Sequence, residues 1–315
     1  MSHAADHSAN DIVGINWGST NFRAYRLAED GRLVDEFTKA AGVAGLGKPG
    51  MAALIDELMA RWPDVSAVYA SGMVGSNIGW CEVPYVAAPA GVGDVAKGAT
   101  RTFMGVVKVN IAPGVCCNRE FDDGPDILRG EEIELFGFAS SNPAWSGLAA
   151  LPGTHTKWVR FDGGRITDFF TSMSGEMFDR LTAAGLLASI VEGEARDCAA
   201  FHDGVRAGHE RRLGLGTLLF GARARVMRGR LSRADSASYL RGLLIGSEIA
   251  DALAIQPGLA KASVPLIGNG TVCRLYASAL SALGVESWVV DSRDACIQGF
   301  LALHKAMTSS NADVN

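Results

Sequence analysis

The chain has 315 residues, 48% of them hydrophobic and 20% charged, with a mean hydropathy of +0.14. That length suits roughly two domains of ~150 residues, and the apolar content excludes an intrinsically disordered chain. A net charge of −5 and a pI of about 5.7 exclude a general nucleic-acid binder, which needs a basic face against phosphate.

The 38 glycines are about 12% of the chain against a usual ~7%, which predicts tight turns and close approaches of backbone to ligand. The polar start, residues 1–11, reads as carrying no signal peptide, and the apolar run over 243–255 is broken by Glu248 and Asp251. Six cysteines without C-x-x-C or zinc spacing read as reduced thiols. The expectation is a cytoplasmic α/β enzyme with no membrane or nucleic-acid partner.

Residues 12–15 form an apolar strand that runs into a small polar loop, Asn16-Trp17-Gly18-Ser19-Thr20-Asn21. Residues 22–27 make a second strand, Glu29-Asp30-Gly31 a turn, and residues 32–37 a third strand. Gly42 to Pro49 is a near match to a phosphate-binding P-loop, but Pro49 stands where that motif needs a hydroxyl, so the stretch reads as a surface loop. An amphipathic helix over 51–61 follows, with Met51, Leu54, Ile55, Leu58 and Met59 on one side. The turn Ser71-Gly72-Met73-Val74-Gly75-Ser76-Asn77 offers glycines, hydroxyls and an amide to a sugar. A helix is expected over 131–139, opening on Glu131 and Glu132.

From Leu148 the first pattern returns. Residues 148–151 are an apolar strand, Pro152-Gly153-Thr154-His155-Thr156 a small loop, 157–161 a strand, Asp162-Gly163-Gly164 a turn and 165–170 a further strand. Gly153-Thr154 follows Gly18-Ser19 at an interval of domain size, which predicts two similar domains. The arginines at 223, 225, 228, 230 and 233 read as a solvated or oligomer-facing surface, which leaves a homo-oligomer open. A strand from Val264 ends at Gly268-Asn269-Gly270 before a helix over 272–283, and a last helix over 294–307 is expected to pack back on the first domain.

Glycine followed by serine or threonine after a strand lets backbone N–H groups converge on an anion. Gly18, Ser19, Thr20, Gly153, Thr154 and Thr156 are therefore candidate phosphate contacts, with Lys157 next in line. Two such loops heading two halves resemble the actin-like ATPase superfamily, which includes sugar kinases and heat-shock 70 proteins. The resemblance makes them the phosphate-1 and phosphate-2 loops and gives Gly268 and Gly270 to the adenosine.

The blocks at 16–23, 71–80, 129–134, 151–158, 174–176, 219–225 and 243–248 bring a narrower resemblance, to the 2-dehydro-3-deoxygalactonokinase family. That resemblance implies an α/β fold of two ribonuclease-H-like domains, 1–145 and 146–315, flanking a central cleft. It further implies ATP and Mg2+ as cofactors and phosphorylation of the 6-hydroxyl of a 2-keto-3-deoxy sugar acid. Glu131, or its neighbour Glu132, is the candidate general base, by positional analogy with the helix-opening aspartate of related sugar kinases, and Arg129 joins it as catalytic. Arg23 and Arg129 suit the substrate carboxylate, since a guanidinium matches it bidentately. Ser71, Gly72, Met73, Ser76, Asn77 and Glu176 are candidate substrate contacts.

One position departs from the superfamily. Asn16 stands where an aspartate usually orients the metal, so Mg2+ should be held less well there. Either another carboxylate (Glu131, Glu176 or Asp168) takes over, or the chain is a weakened or non-catalytic, ligand-binding homologue. Galactonate- and gluconate-derived acids stay unresolved as substrates.

Overall fold

The computed structural model describes residues 10–312; residues 1–9, most of the stretch read as lacking a signal peptide, lie outside the described residues. The elements run β1 (Ile12–Trp17), β2 (Phe22–Leu27), β3 (Leu33–Lys39), α1 (Lys48–Arg61), β4 (Ala67–Gly72), β5 (Val86–Ala87), β6 (Ala90–Gly91), α2 (Val92–Gly98), β7 (Thr100–Met104), β8 (Val107–Ile111), β9 (Val115–Asn118), β10 (Pro125–Leu128) and α3 (Glu131–Ser141). They continue with β11 (Gly147–Leu151), β12 (Thr156–Asp162), β13 (Arg165–Ser172), α4 (Ser174–Ala183), α5 (Gly185–Ala188), α6 (Ala199–Glu210), α7 (Leu215–Met227), α8 (Arg233–Ile255), β14 (Ser263–Gly268), α9 (Gly270–Ala282), β15 (Glu286–Asp291) and α10 (Ser292–Ala312).

The chain divides into two units. The first holds the residues up to Ser146, Phe161–Asp168 and the chain from Ser292; the second holds Gly147–Arg160 and Phe169–Asp291. The division differs from a single cut at 145/146, because α10 packs on α3 of the first unit. Gly137 on α3 and Gly299 on α10 lie so close to the opposite backbone that neither site has room for a Cβ.

In the first unit the sheet order is β3-β2-β1-β4-β8-β7, with β1–β4 and β4–β8 parallel and β2 antiparallel to both β1 and β3. Both faces of β1 are covered, so Ile12, Val13, Ile15 and Trp17 are all buried, and the strand reads as an apolar run instead of an alternation. Helix α1 supplies one cover: Met51, Leu54, Ile55 and Leu58 form the stripe of a 3.6-residue period and join Trp17, Phe22 and Trp62 in one core. Each such large apolar side chain contributes about 1.5–3 kcal/mol on burial.

The second unit repeats the strand order as β13-β12-β11-β14-β15, with β11–β14 and β14–β15 parallel. Third, second, first, fourth is the sequence of neighbours shared by both sheets, continued by β8 and β7 in the first and by β15 in the second, and this is the duplication that the two glycine loops announce. The tip of the β12–β13 hairpin belongs to the first unit, where Arg165 and Ile166 pair with Gly91 and Ala90 of β6.

Much of the glycine excess serves neither turns nor ligands. Gly204 and Gly208 on α6 face Tyr239 O and Leu243 O of α8, while Gly242 and Gly246 on α8 face Phe201 O and Val205 O of α6. A Cβ at any of the four would collide with backbone, so these helices touch at their main chains. Helix contact of this kind has no local sequence signal beyond glycine at i and i+4.

Candidate active site

In the first unit the ends of β1, β2 and β4 converge. Asn16 is in register with Ser71 of β4 and with Arg23 of β2, and Trp17 with Gly72. Gly72 and Gly130 have φ of 91° and 110°, and a Cβ on Gly130 would lie 3.3 Å from Gly72 Cα. Only glycines allow this approach. It sets the start of α3, with Arg129, Glu131 and Glu132, against the end of β4.

Glu131 Oε2 accepts from the Arg129 N–H at 2.9 Å and Glu132 Oε2 from the Gly130 N–H at 2.6 Å, so both carboxylates serve amides at the helix N-terminus. Their environments differ. Glu131 is partly exposed, whereas Glu132 is fully buried and is pushed up to about 8, first by burial and then by the charge of Glu131. Arg129 lies over the Tyr85 ring at 4.2 Å and donates from Nη2 to Val83 O at 2.7 Å. Four buried polar atoms of this turn and the end of β4 have no partner among the described residues: Arg129 Nε and Nη1, Glu132 Oε1 and Ser71 Oγ. Arg23 is half-buried and makes no ion pair or hydrogen bond among the described residues.

Asn16 donates from Nδ2 to Cys296 Sγ at 3.3 Å, and its Oδ1 accepts no hydrogen bond among the described residues. Cys296 is 3.5 Å from Glu134 Oε1, and Ser292 Oγ donates to that same oxygen at 2.8 Å. Burial pushes Glu134 up to about 7. The carboxylate linked to residue 16 is thus Glu134, which the sequence does not single out. Asp168 accepts from the Glu120 N–H at 3.4 Å on β13, and Glu176 lies in the second unit.

The loop expected to be phosphate-1 is closed by Gly18 N–H donating to Asn21 O at 2.9 Å. Ser19 and Thr20 are exposed, and their amides and hydroxyls make no hydrogen bond among the described residues. The P-loop look-alike braces this loop from behind: Gly42, Val43 and Ala44 donate to Thr20 O, Gly18 O and Ser19 O at 2.9, 3.0 and 3.2 Å. Gly42 and Val43 are buried, so that part of the stretch is not surface. In the 71–77 turn Gly72 approaches Gly130 and Ser71 is buried; Ser76 Oγ turns back to Met73 O at 2.7 Å, Met73 is half-buried and Asn77 is exposed.

In the second unit Gly153 and Thr154 form an exposed loop between β11 and β12. Helix α4 begins directly against it: Glu176 N–H donates to Thr154 O at 2.9 Å, and Gly175 has no room for a Cβ beside Gly153 O. Glu176, expected at the sugar, instead pairs with His155 Nε2 at 2.7 Å and Arg180 Nε at 3.4 Å, and His155 first of all holds its carboxyl below the usual range. Gly268 reaches the same loop, its Cβ direction lying 3.5 Å from Pro152 O, while Gly270 is exposed at the start of α9.

Two expected phosphate contacts turn inward. Thr156 is buried with its hydroxyl 2.8 Å from Tyr276 OH, and Lys157 is buried with Nζ donating to Thr171 Oγ1 at 2.8 Å. The physical reason is that both faces of β12 are covered, so neither side of the strand opens to solvent.

The family model described as 2-keto-3-deoxy-galactonokinase matches residues 16–303. The chain belongs to that family. A curated 2-dehydro-3-deoxygalactonokinase of Escherichia coli (strain K12) is 33% identical over 304 residues, 94% of this chain and 98% of that protein. A protein assigned the same activity in Rhizobium meliloti (strain 1021) is 33% identical over 305 residues, covering 95% and 98%. A crystal structure assigned to a 2-dehydro-3-deoxygalactonokinase from Sinorhizobium meliloti aligns with a TM-score of 0.85 at 32% identity, over 94% of this chain and 96% of that one. At 12% identity and a TM-score of 0.51, the activator of a 2-hydroxyisocaproyl-CoA dehydratase from Clostridium difficile shares the fold.

As a member of the 2-keto-3-deoxy-galactonokinase family the chain is a kinase of galactonate breakdown. Its sequence motifs mark both loops and the α3 turn. They do not reveal Gly42, Gly175, Glu134 or the buried group beneath the phosphate-2 loop, because those act through contacts distant in sequence. Among the described residues no helix is long and apolar enough to cross a membrane.

Proposed function

We propose that this kinase transfers the γ-phosphoryl group of ATP to the 6-hydroxyl of 2-dehydro-3-deoxy-D-galactonate in the cytoplasm, with Mg2+ as cofactor. The observation that carries the reading is the set of unspent buried polar atoms on Ser71, Arg129 and Glu132 among the described residues. Buried polar atoms are normally paired, and a turn that leaves four of them unpaired suits a polyhydroxylated anion.

Each unit by itself offers ATP a loop: Ser19 and Thr20 beside Gly18 in the first, and Thr154 beside Gly153 in the second, have amides and hydroxyls uncommitted among the described residues, and Gly268 and Gly270 of the second unit are offered to the adenosine. For Mg2+ the protein supplies little: Asn16 Oδ1 is neutral, and among the described residues no three His, Cys, Asp or Glu side chains are grouped to hold a metal. That suits an ion carried on nucleotide oxygens and water, as Mg2+ in phosphoryl transfer usually is. When bound, the ion neutralises charge on the β- and γ-phosphates.

The side chains divide the remaining work. Arg23 holds the substrate carboxylate, Ser71 a hydroxyl, and Arg129 the charge that develops in transfer. Glu131 takes the proton of the 6-hydroxyl; it is the accessible carboxylate, while Glu132 keeps its own proton at neutral pH. An ATP-coupled assay on the galactonate- and gluconate-derived 2-keto-3-deoxy acids, with the phosphate position read by NMR, tests the proposal. Phosphate on O6 of the galactonate-derived acid is expected. Nucleotide binding with turnover of neither acid would make the chain a non-catalytic homologue, as Asn16 allows.

A further inference from the structure

Beneath the phosphate-2 loop lies a buried carboxylate that the reaction itself does not use. Glu248, on α8, is fully buried and accepts from Trp158 Nε1 at 2.7 Å, from Ser174 Oγ, and from Tyr276 OH at 3.0 Å. A fourth donor, the Ser172 hydroxyl, ends β13; the other three sit on β12, on the first residue of α4 and on α9. These are the elements that flank the phosphate-2 loop and follow the Gly268–Gly270 turn.

The hydrogens in this group have one direction. The single proton of Tyr276 is given to Glu248, so Thr156 must donate to the Tyr276 oxygen, at 2.8 Å. Thr156 then has only lone pairs to turn toward the Gly153 N–H, 3.5 Å away in the loop itself. Ser174 is likewise committed to Glu248, which fixes the start of α4, and from there Glu176 N–H holds Thr154 O at 2.9 Å. A carboxylate with four donors and no cation is costly to bury, and burial raises its pKa; such a group specifies one arrangement of its neighbours more than it stabilises them.

We infer that Glu248 is the positioning residue of the phosphate-2 loop, acting through Tyr276 and Thr156 on Gly153 and through Ser174 on Thr154, and thereby setting the affinity for ATP. The inference rests on the assignment of 153–154 as a nucleotide loop. Tyr276→Phe cuts the link between Glu248 and Thr156 while keeping the ring in the core. Loss of that one hydrogen-bonded link is expected to raise the KM for ATP roughly 5- to 10-fold and leave the KM for the sugar acid unchanged. Glu248→Gln, which puts an amide donor against donors, is expected to act in the same direction.

Thermal melting of each variant is measured alongside. A merely structural role would lower kcat through a reduced active fraction with both KM values intact. Should Glu248→Gln fail to fold, Tyr276→Phe decides alone. Thr154→Ala, at the loop tip, separates the two levels of the argument. If it leaves the KM for ATP unchanged, the loop assignment fails; if it raises that KM while Tyr276→Phe does not, the role of Glu248 fails and the loop assignment stands.

Discussion

The substitution Gly42→Ala puts the brace of the phosphate-1 loop to the test without touching the loop. A Cβ at residue 42 would fall closer than 3.0 Å to Ser19 C, Ser19 O and Thr20 N, all backbone atoms that no rotamer change can move. Restoring an ordinary contact of 3.4 Å requires the loop or the 42–44 segment to shift on the order of 1 Å. The shift strains three hydrogen bonds, each worth about 1 kcal/mol net, so the loss of stability should stay within about 3 kcal/mol and the fold should survive. A displacement on the order of 1 Å at a site that positions phosphate costs about 100-fold in rate. The expected result is therefore kcat/KM for ATP down about 100-fold, with a lowered but cooperative melting transition. Gly45→Ala is the internal control: it lies in the same segment, nothing lies within 4 Å of a Cβ there, and its kinetics should match the parent. Parent-like ATP kinetics in Gly42→Ala would refute the bracing argument, and equal losses in both variants would show that the segment responds to any substitution.

Glu131→Gln should lower kcat by at least about 100-fold while leaving ATP binding, followed by calorimetry, intact; retained turnover removes Glu131 as the base. Arg129→Lys loses the planar group over Tyr85 and the spare Nε donor, so kcat should fall about 10-fold or more with the KM for ATP unchanged. Asn16→Asp adds a charge at the metal position, and a Mg2+ titration should show half-maximal activity at a lower concentration; an unchanged titration would mean residue 16 does not face the ion. Glu132 holds its proton to about 8 in the folded protein against 4.5 ordinarily, so its contribution to stability is present below pH 4.5 and is lost as pH rises to about 8. Glu132→Gln keeps an acceptor for the Gly130 N–H and should flatten the fall in melting temperature between pH 5 and 8; parallel curves for parent and variant would count against a protonated Glu132.

What the sequence alone determines is local or repeated. The run from Ile12, the Gly18-Ser19 and Gly153-Thr154 loops and the glycine turns that follow are written in apolar pattern and backbone freedom, and these fix the strands and the duplication. Glu131 at the start of α3 is legible for the same reason, since carboxylates favour a helix N-terminus wherever the helix lies. Only tertiary structure decides what each polar group is spent on. Thr156 and Lys157 carry the right chemistry for phosphate, yet a sheet covered on both faces turns them toward Tyr276 and Thr171. Gly42 looks like a broken P-loop and serves instead as the floor of another loop, and Glu134 reaches Asn16 only because α10 returns from the far end of the chain. A side chain's chemistry is fixed by its covalent structure, but whether an atom is free to meet a ligand depends on which donors and acceptors packing has already matched to it.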